Sequence, residues 1–157
     1  MCIRDSTEVE DFEAQADDFR NLRTMTPVRG FFVDNFLGHL DEAVAIAEAN
    51  EGGVYPVGTV LQLVPQEAMV KRRAGWNRAT NDWEFFFLDV DEQGTTIAVR
   101  GADEVVNRFD GNCASCHQAA EPKYDLVCEN DHGCEPLPIG RDVIEAIQDG
   151  DPRPLTP

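Results

Sequence analysis

The sequence predicts an α+β fold, an antiparallel β-sheet with flanking helices, and three observations predict it. Apolar residues recur at helical spacing over 7–23 and again over 34–50. Four runs rich in β-branched and aromatic residues then follow between 54 and 100. The links between those runs are of hairpin length, which favours antiparallel pairing. At 157 residues, 42% of them hydrophobic, the chain is long enough to bury a core.

The elements are read in order as follows. Val9, Phe12, Ala16, Phe19 and Leu22 lie on one face of a helix over 7–23, with Glu8, Glu10, Asp11, Asp17 and Asp18 outside it. Pro27 ends this amphipathic helix, so residues 1–26 are read as an N-terminal extension and 27–157 as the main domain. The opening Met1-Cys2-Ile3-Arg4-Asp5-Ser6 reads as translated adapter sequence, which leaves Cys2 without a function. A second helix is expected over 34–50, with Phe36, Leu37, Leu40, Val44 and Ala47 inward, Asp34 as N-cap and Gly52-Gly53 after its end. Strands are expected over 54–64, 67–73, 83–90 and 95–100, with Pro65-Gln66 and Asp91-Glu92-Gln93-Gly94 as turns. Alternation puts Trp83, Phe85 and Phe87 on one face, and Glu84, Phe86 and Leu88 on the other. A short helix is expected within 102–112 and a last one around Val143, Ile144 and Ile147, followed by a loose Pro-rich end.

Charge excludes some functions. Thirty acidic against thirteen basic residues give a net charge of −17, which disfavours nucleic acid and anionic membrane surfaces as partners. The same charge suits an encounter with a basic redox protein, and equally suits simple solubility. No run approaches the eighteen or so apolar residues of a membrane span.

The chemistry is concentrated in Cys113-Ala114-Ser115-Cys116-His117. Two cysteines two residues apart, followed directly by histidine, have the form of covalent c-type haem attachment. Each thiol adds to one vinyl group of the porphyrin, and the histidine binds iron as the proximal ligand. Two alternatives stand beside this reading. A redox Cys-x-x-Cys pair would need a βα setting. A zinc-stabilised binding module would draw ligands from Cys113, Cys116, Cys128, Cys134 and His132.

Cys128 and Cys134 flank a polar turn containing Gly133, which suits a disulfide. A disulfide and c-type haem both belong to an oxidising compartment, so the protein is expected to be periplasmic or otherwise exported. Residues 1–30 show no secretory signal, so that signal is expected to be missing from this chain. The methionines are Met1, Met25 and Met69, and none follows the haem motif as a distant sixth ligand. The sixth iron position is therefore expected to be open or covered by an apolar side chain.

Over about 27–138 the chain resembles the cytochrome P-460 family, which shares its fold with the beta-type cytochromes c-prime. The resemblance is carried by Tyr55-Pro56-Val57-Gly58-Thr59-Val60, Glu67-Ala68-Met69-Val70-Lys71-Arg72 and Asn81-Asp82-Trp83-Glu84-Phe85-Phe86. It is completed by Asn112 with the haem motif, and by Asp125 downstream. It implies one haem c, five-coordinate iron on His117, and a dimer in many members. Hydroxylamine-oxidising members carry a lysine cross-linked to the porphyrin. The matching position here is Leu63, which has no nucleophile. Lys71 is the nearby lysine, read as a surface or propionate-facing charge rather than a substitute cross-link. Glu67 matches the family's pocket carboxylate and is the candidate catalytic base, the alternative being an exposed hairpin glutamate. Phe85, Phe86 and Phe87 offer an apolar distal wall, with Phe85 and Phe87 the leading candidates; otherwise they form core.

The remaining candidates are less specific. His132 is read as a loop residue or a sixth ligand, and His39 as a helix-surface histidine. Arg72, Arg73 and Arg78 are candidate propionate partners. The expected function is an exported monohaem protein that binds small gases of the nitric oxide class, or transfers electrons. The alternative is an oxidoreductase converting hydroxylamine or nitric oxide, with Glu67 as base.

Overall fold

The computed structural model describes residues 10–106, 111–129 and 132–155. Six strands form one sheet: β1 (Thr26–Val28), β2 (Phe31–Asn35), β3 (Thr59–Gln62), β4 (Glu67–Lys71), β5 (Trp83–Asp91) and β6 (Gly94–Gly101). Their order across the sheet is their order in the chain, and every neighbouring pair is antiparallel. Among the described residues there are three α-helices: α1 (Leu40–Glu48), α2 (Cys113–His117) and α3 (Arg141–Asp149). The α+β architecture with an antiparallel sheet is therefore present, with more strands than the sequence predicts.

The two extra strands lie between the two expected helices, and β2 takes the first two residues of the second. Phe31, Val33 and Asn35 are buried while Phe32 and Asp34 are half-buried, which is the period of a strand. Arg29 and Gly30, both at positive φ (43° and 95°), make the tight turn that joins β1 to β2. Helix α1 accordingly starts at Leu40 and not near Asp34. The Asn35 side chain accepts hydrogen bonds from the Leu37 and His39 backbone N–H groups (2.8 and 3.1 Å) and turns the strand into the helix.

The amphipathic helix expected over 7–23 is not formed in its described part. Two 3₁₀ turns, Ala16–Asp18 and Leu22–Thr24, punctuate an otherwise irregular segment, and residues 1–9 lie outside the described residues. Phe19 and Leu22 are buried all the same, and Phe12 is half-buried. Phe12 stacks on Phe36 (ring centroids 5.2 Å) and Phe19 meets Phe86 (4.9 Å). Burial of these rings is satisfied strand by strand against the sheet, so a continuous helical face is not needed.

The sheet is covered on both faces. One face carries Phe31, Val33, Leu61, Met69, Trp83 and Phe85, packed beneath α1, Tyr55, Val105, α2 and the 126–127 segment. The other carries Val60, Ala68, Val70, Phe86 and Leu88, packed beneath Ala14 and Phe19. Burial on both sides explains why β3, β4 and the first half of β5 contain so few exposed positions.

Three further expectations need correction. No helix forms in the described part of 102–112; Val106 and Asn112 instead make an isolated antiparallel bridge, and 107–110 lie outside the described residues. The first expected strand contracts to β3, because Tyr55, Pro56 and Val57 run as a loop. The segment after α3 is anchored, not loose, as far as Arg153: Asp151 and Arg153 form a buried ion pair at 2.8 Å, with side chains 0% and 1% exposed. Asn21 donates to the Arg153 carbonyl (2.8 Å), and the Leu22 N–H donates to Asp151 (2.9 Å), so the end is tied to the N-terminal segment.

Candidate functional site

Helix α2 is one short turn made of the five motif residues. The Asn112 side chain caps it by accepting from the Ser115 N–H (2.9 Å), and donates to the Asp103 carbonyl. Cys113 is buried and its N–H bonds the Val105 carbonyl, whereas Cys116 is exposed. Both thiols are free. Burial, then the nearby Glu67 and Cys116, push the Cys113 thiol up to about 12. A redox-active Cys-x-x-Cys pair needs the opposite shift, so this setting does not favour that alternative.

His117 is held at one nitrogen. Its Nδ1 lies 2.6 Å from the Leu126 carbonyl oxygen. Burial pulls the imidazole below its ordinary pKa, with the Leu126 bond opposing, so the ring is neutral near pH 7. A carbonyl only accepts, so the single ring proton sits on Nδ1 and the Nε2 lone pair is left for another partner. That is the arrangement in which histidines bind metal, the second nitrogen donating to a carbonyl.

A buried polar cluster surrounds Asp125, the residue before Leu126. Asp125, 3% exposed, accepts from Lys71 Nζ (2.7 Å), the Tyr55 N–H (3.0 Å) and Asn81 Nδ2 (3.3 Å). Its own carbonyl accepts from Trp83 Nε1 at 2.7 Å. Lys71 Nζ also donates to the Asn81 carbonyl (2.7 Å) and lies 4.9 Å above the Trp83 ring. Lys71 is thus buried and paired, and the surface role expected for it is corrected.

Strand pairing gathers several predicted residues on the face beneath α2. Glu67 pairs with Phe87, Met69 with Phe85 and Lys71 with Trp83, which puts all six side chains on one face. Leu61 pairs with Met69, which extends that face to β3, and the partly buried Leu63 and Phe87 pack against its core. The Phe85 ring lies 5.2 Å from the His117 ring. Phe86 points to the opposite face and is core there. Glu67 is half-buried and close enough to influence Cys113, so the exposed hairpin alternative does not hold.

Other candidates fall elsewhere. Arg72 is buried against Asp11 and Glu84 (3.0 and 2.9 Å), with Arg100 also on Glu84 (2.7 Å), so it is not free for a propionate. Arg73 contacts Asp11, and Arg78 opens an exposed 3₁₀ turn. His39 bonds Glu10 at the start of α1. His132 stacks on Tyr124 (3.4 Å) with its Nδ1 on the Val127 carbonyl (2.6 Å).

Cys128 and Cys134 form a disulfide, with Cα atoms 5.7 Å apart. Two of the five candidate zinc ligands are therefore committed to each other. The bridge follows directly on the Asp125–Val127 segment, and Arg29 clamps it by a forked pair to Glu129 (3.0 and 2.7 Å).

The free thiols of Cys113 and Cys116, the Nε2 lone pair of His117 and the apolar face with Leu63 and Phe87 fit a covalently held haem. Sequence reasoning passed over Trp83, Tyr55 and Asn81 as supports of this site; their only signal was membership in the same short motifs as Gly58 and Phe85. No helix among the described residues is long and apolar enough to cross a membrane. The chain matches no family model, and no curated protein or solved structure matches it either.

Proposed function

We propose that this chain is an exported c-type monohaem protein of the cytochrome P-460 and c-prime-beta kind. Haem would be joined to Cys113 and Cys116, with iron on His117. One observation carries the reading: a neutral His117 whose Nδ1 is bound at 2.6 Å to a backbone carbonyl, directly after two free thiols at haem-attachment spacing. The disulfide supports the oxidising compartment that this chemistry requires.

When bound, haem supplies an iron centre that takes up small ligands and exchanges electrons. The residues of the chain set what reaches it. Leu63 and Phe87 offer apolar, half-buried surface on the face beneath α2, which admits small uncharged molecules and disfavours anions. Nitric oxide is of that class.

A second reading is favoured by Glu67. Glu67 starts β4 on the same face, where its carboxylate would accept a proton from a small nitrogen substrate such as hydroxylamine. Spectroscopy separates the two. A ferrous c-type spectrum that shifts on adding nitric oxide, without hydroxylamine turnover, supports ligand binding. Hydroxylamine-dependent reduction of an acceptor that falls at least tenfold in Glu67→Gln supports the oxidoreductase and overturns the first.

A further inference from the structure

Asp125 and Leu126 both adopt left-handed backbone conformations, with φ of 54° and 63°, although neither is glycine. Such conformations are unfavourable for L residues and persist where the surroundings impose them. Here the imposing contacts are identifiable. Three donors from separate elements converge on the Asp125 carboxylate: Lys71 from the end of β4, Asn81 from the loop before β5, and the Tyr55 backbone from the loop before β3. A fourth, Trp83 Nε1, holds the Asp125 carbonyl itself. The next peptide carbonyl, that of Leu126, is the one that reaches His117.

We infer that Asp125 is a positioning residue: its clasp by Lys71, Asn81, Tyr55 and Trp83 aims the Leu126 carbonyl at His117 Nδ1 and so fixes the proton on that nitrogen. This inference rests on the haem reading and adds to it a residue that never touches iron. A firm Nδ1–H bond makes the opposite nitrogen a stronger donor, which strengthens the iron bond and favours the ferric state. If Asp125 is weakened, the carbonyl drifts, and the iron–histidine bond should weaken with it. A role confined to stability would leave that bond unchanged in the folded fraction.

The test uses resonance Raman spectra and reduction potentials of the haem-loaded protein. Asp125→Asn removes the charge that holds Lys71, and Trp83→Phe removes the indole N–H together with part of the ring volume while leaving the Asp125 carboxylate in place. Asp151→Asn, at the distant buried pair with Arg153, controls for destabilisation alone. The expected result is an iron–histidine stretch displaced to lower frequency and a raised potential in Asp125→Asn. A smaller displacement of the same sign is expected in Trp83→Phe, and none in Asp151→Asn. If Asp125→Asn fails to fold, Trp83→Phe decides. Wild-type band and potential in the haem-loaded variants would overturn this inference alone. A wild-type chain that never carries haem would overturn it together with the reading it rests on.

Discussion

Lys71 Nζ lies 2.7 Å from Asp125 Oδ2, with the two side chains only 6% and 4% exposed. The pair joins the end of a central strand to the segment that follows α2, and so ties the sheet to the His117 region. Breaking such a buried pair by removing one partner costs about 3–5 kcal/mol. Lys71→Met should therefore lower the urea midpoint strongly, and a variant within about 1 kcal/mol of wild type would show the pair to be dispensable.

The pH dependence of that variant has a definite sign. Burial pushes the Asp125 carboxyl up, and Lys71, the Tyr55 N–H and Asn81 pull it back. Without Lys71 the folded-state value rises further above the unfolded one of about 4. The folded state then binds the extra proton, so stability falls as pH rises from about 4 towards neutrality. Denaturation of Lys71→Met at several pH values between 4 and 7 checks this; a penalty independent of pH contradicts it.

Asp151 predicts the opposite trend. Burial is the largest single influence and pushes its carboxyl up, but the Arg153 side chain, the Leu22 N–H and the Arg153 N–H together hold it below the ordinary value. A lowered folded-state value gives stability above about pH 4 that is lost as pH falls through the folded value. Asp151→Ala, which strands Arg153, should cost about 3–5 kcal/mol at neutral pH and flatten the acid limb of the stability curve.

Gly52 is a backbone requirement. Its φ is 71°, and a Cβ there would fall 2.2 Å from the Lys123 carbonyl oxygen, the same oxygen that the Gly53 N–H binds at 2.8 Å. Gly52→Ala should therefore cost about 1–3 kcal/mol in backbone strain alone, with more from the clash, read as a fall in thermal midpoint.

The disulfide closes a short loop, Cys128 to Cys134. Replacing both cysteines by serine should lower stability by about 2 kcal/mol on chain-entropy grounds. Free thiols at both positions under non-reducing mass spectrometry would remove the bridge and the argument for an oxidising compartment.

Much of the fold was legible in the residues. β5 and β6 show clear alternation around Asp91-Glu92-Gln93-Gly94, and their pairing closes at Asp91 and Gly94. The disulfide was legible from spacing and turn chemistry. The segment 31–37 was not, because Phe36 and Leu37 fit a helix phase as well as Phe31 and Val33 fit a strand. An Arg29-Gly30 turn carries no asparagine or aspartate to mark it. Phe12 and Phe19 have helical spacing, yet each finds a separate partner, Phe36 and Phe86. At the site, the motif announced Cys113, Cys116 and His117. The Lys71–Asp125 pair spans 54 residues of sequence and depends on strand register, which no local pattern encodes.

The most direct measurement is the intact mass of the protein after expression in a host that attaches c-type haem, taken under denaturing conditions. The account predicts the polypeptide plus one haem, with the added mass lost when Cys113 and Cys116 are both replaced by alanine. A wild-type chain with the mass of its amino acids alone would contradict it.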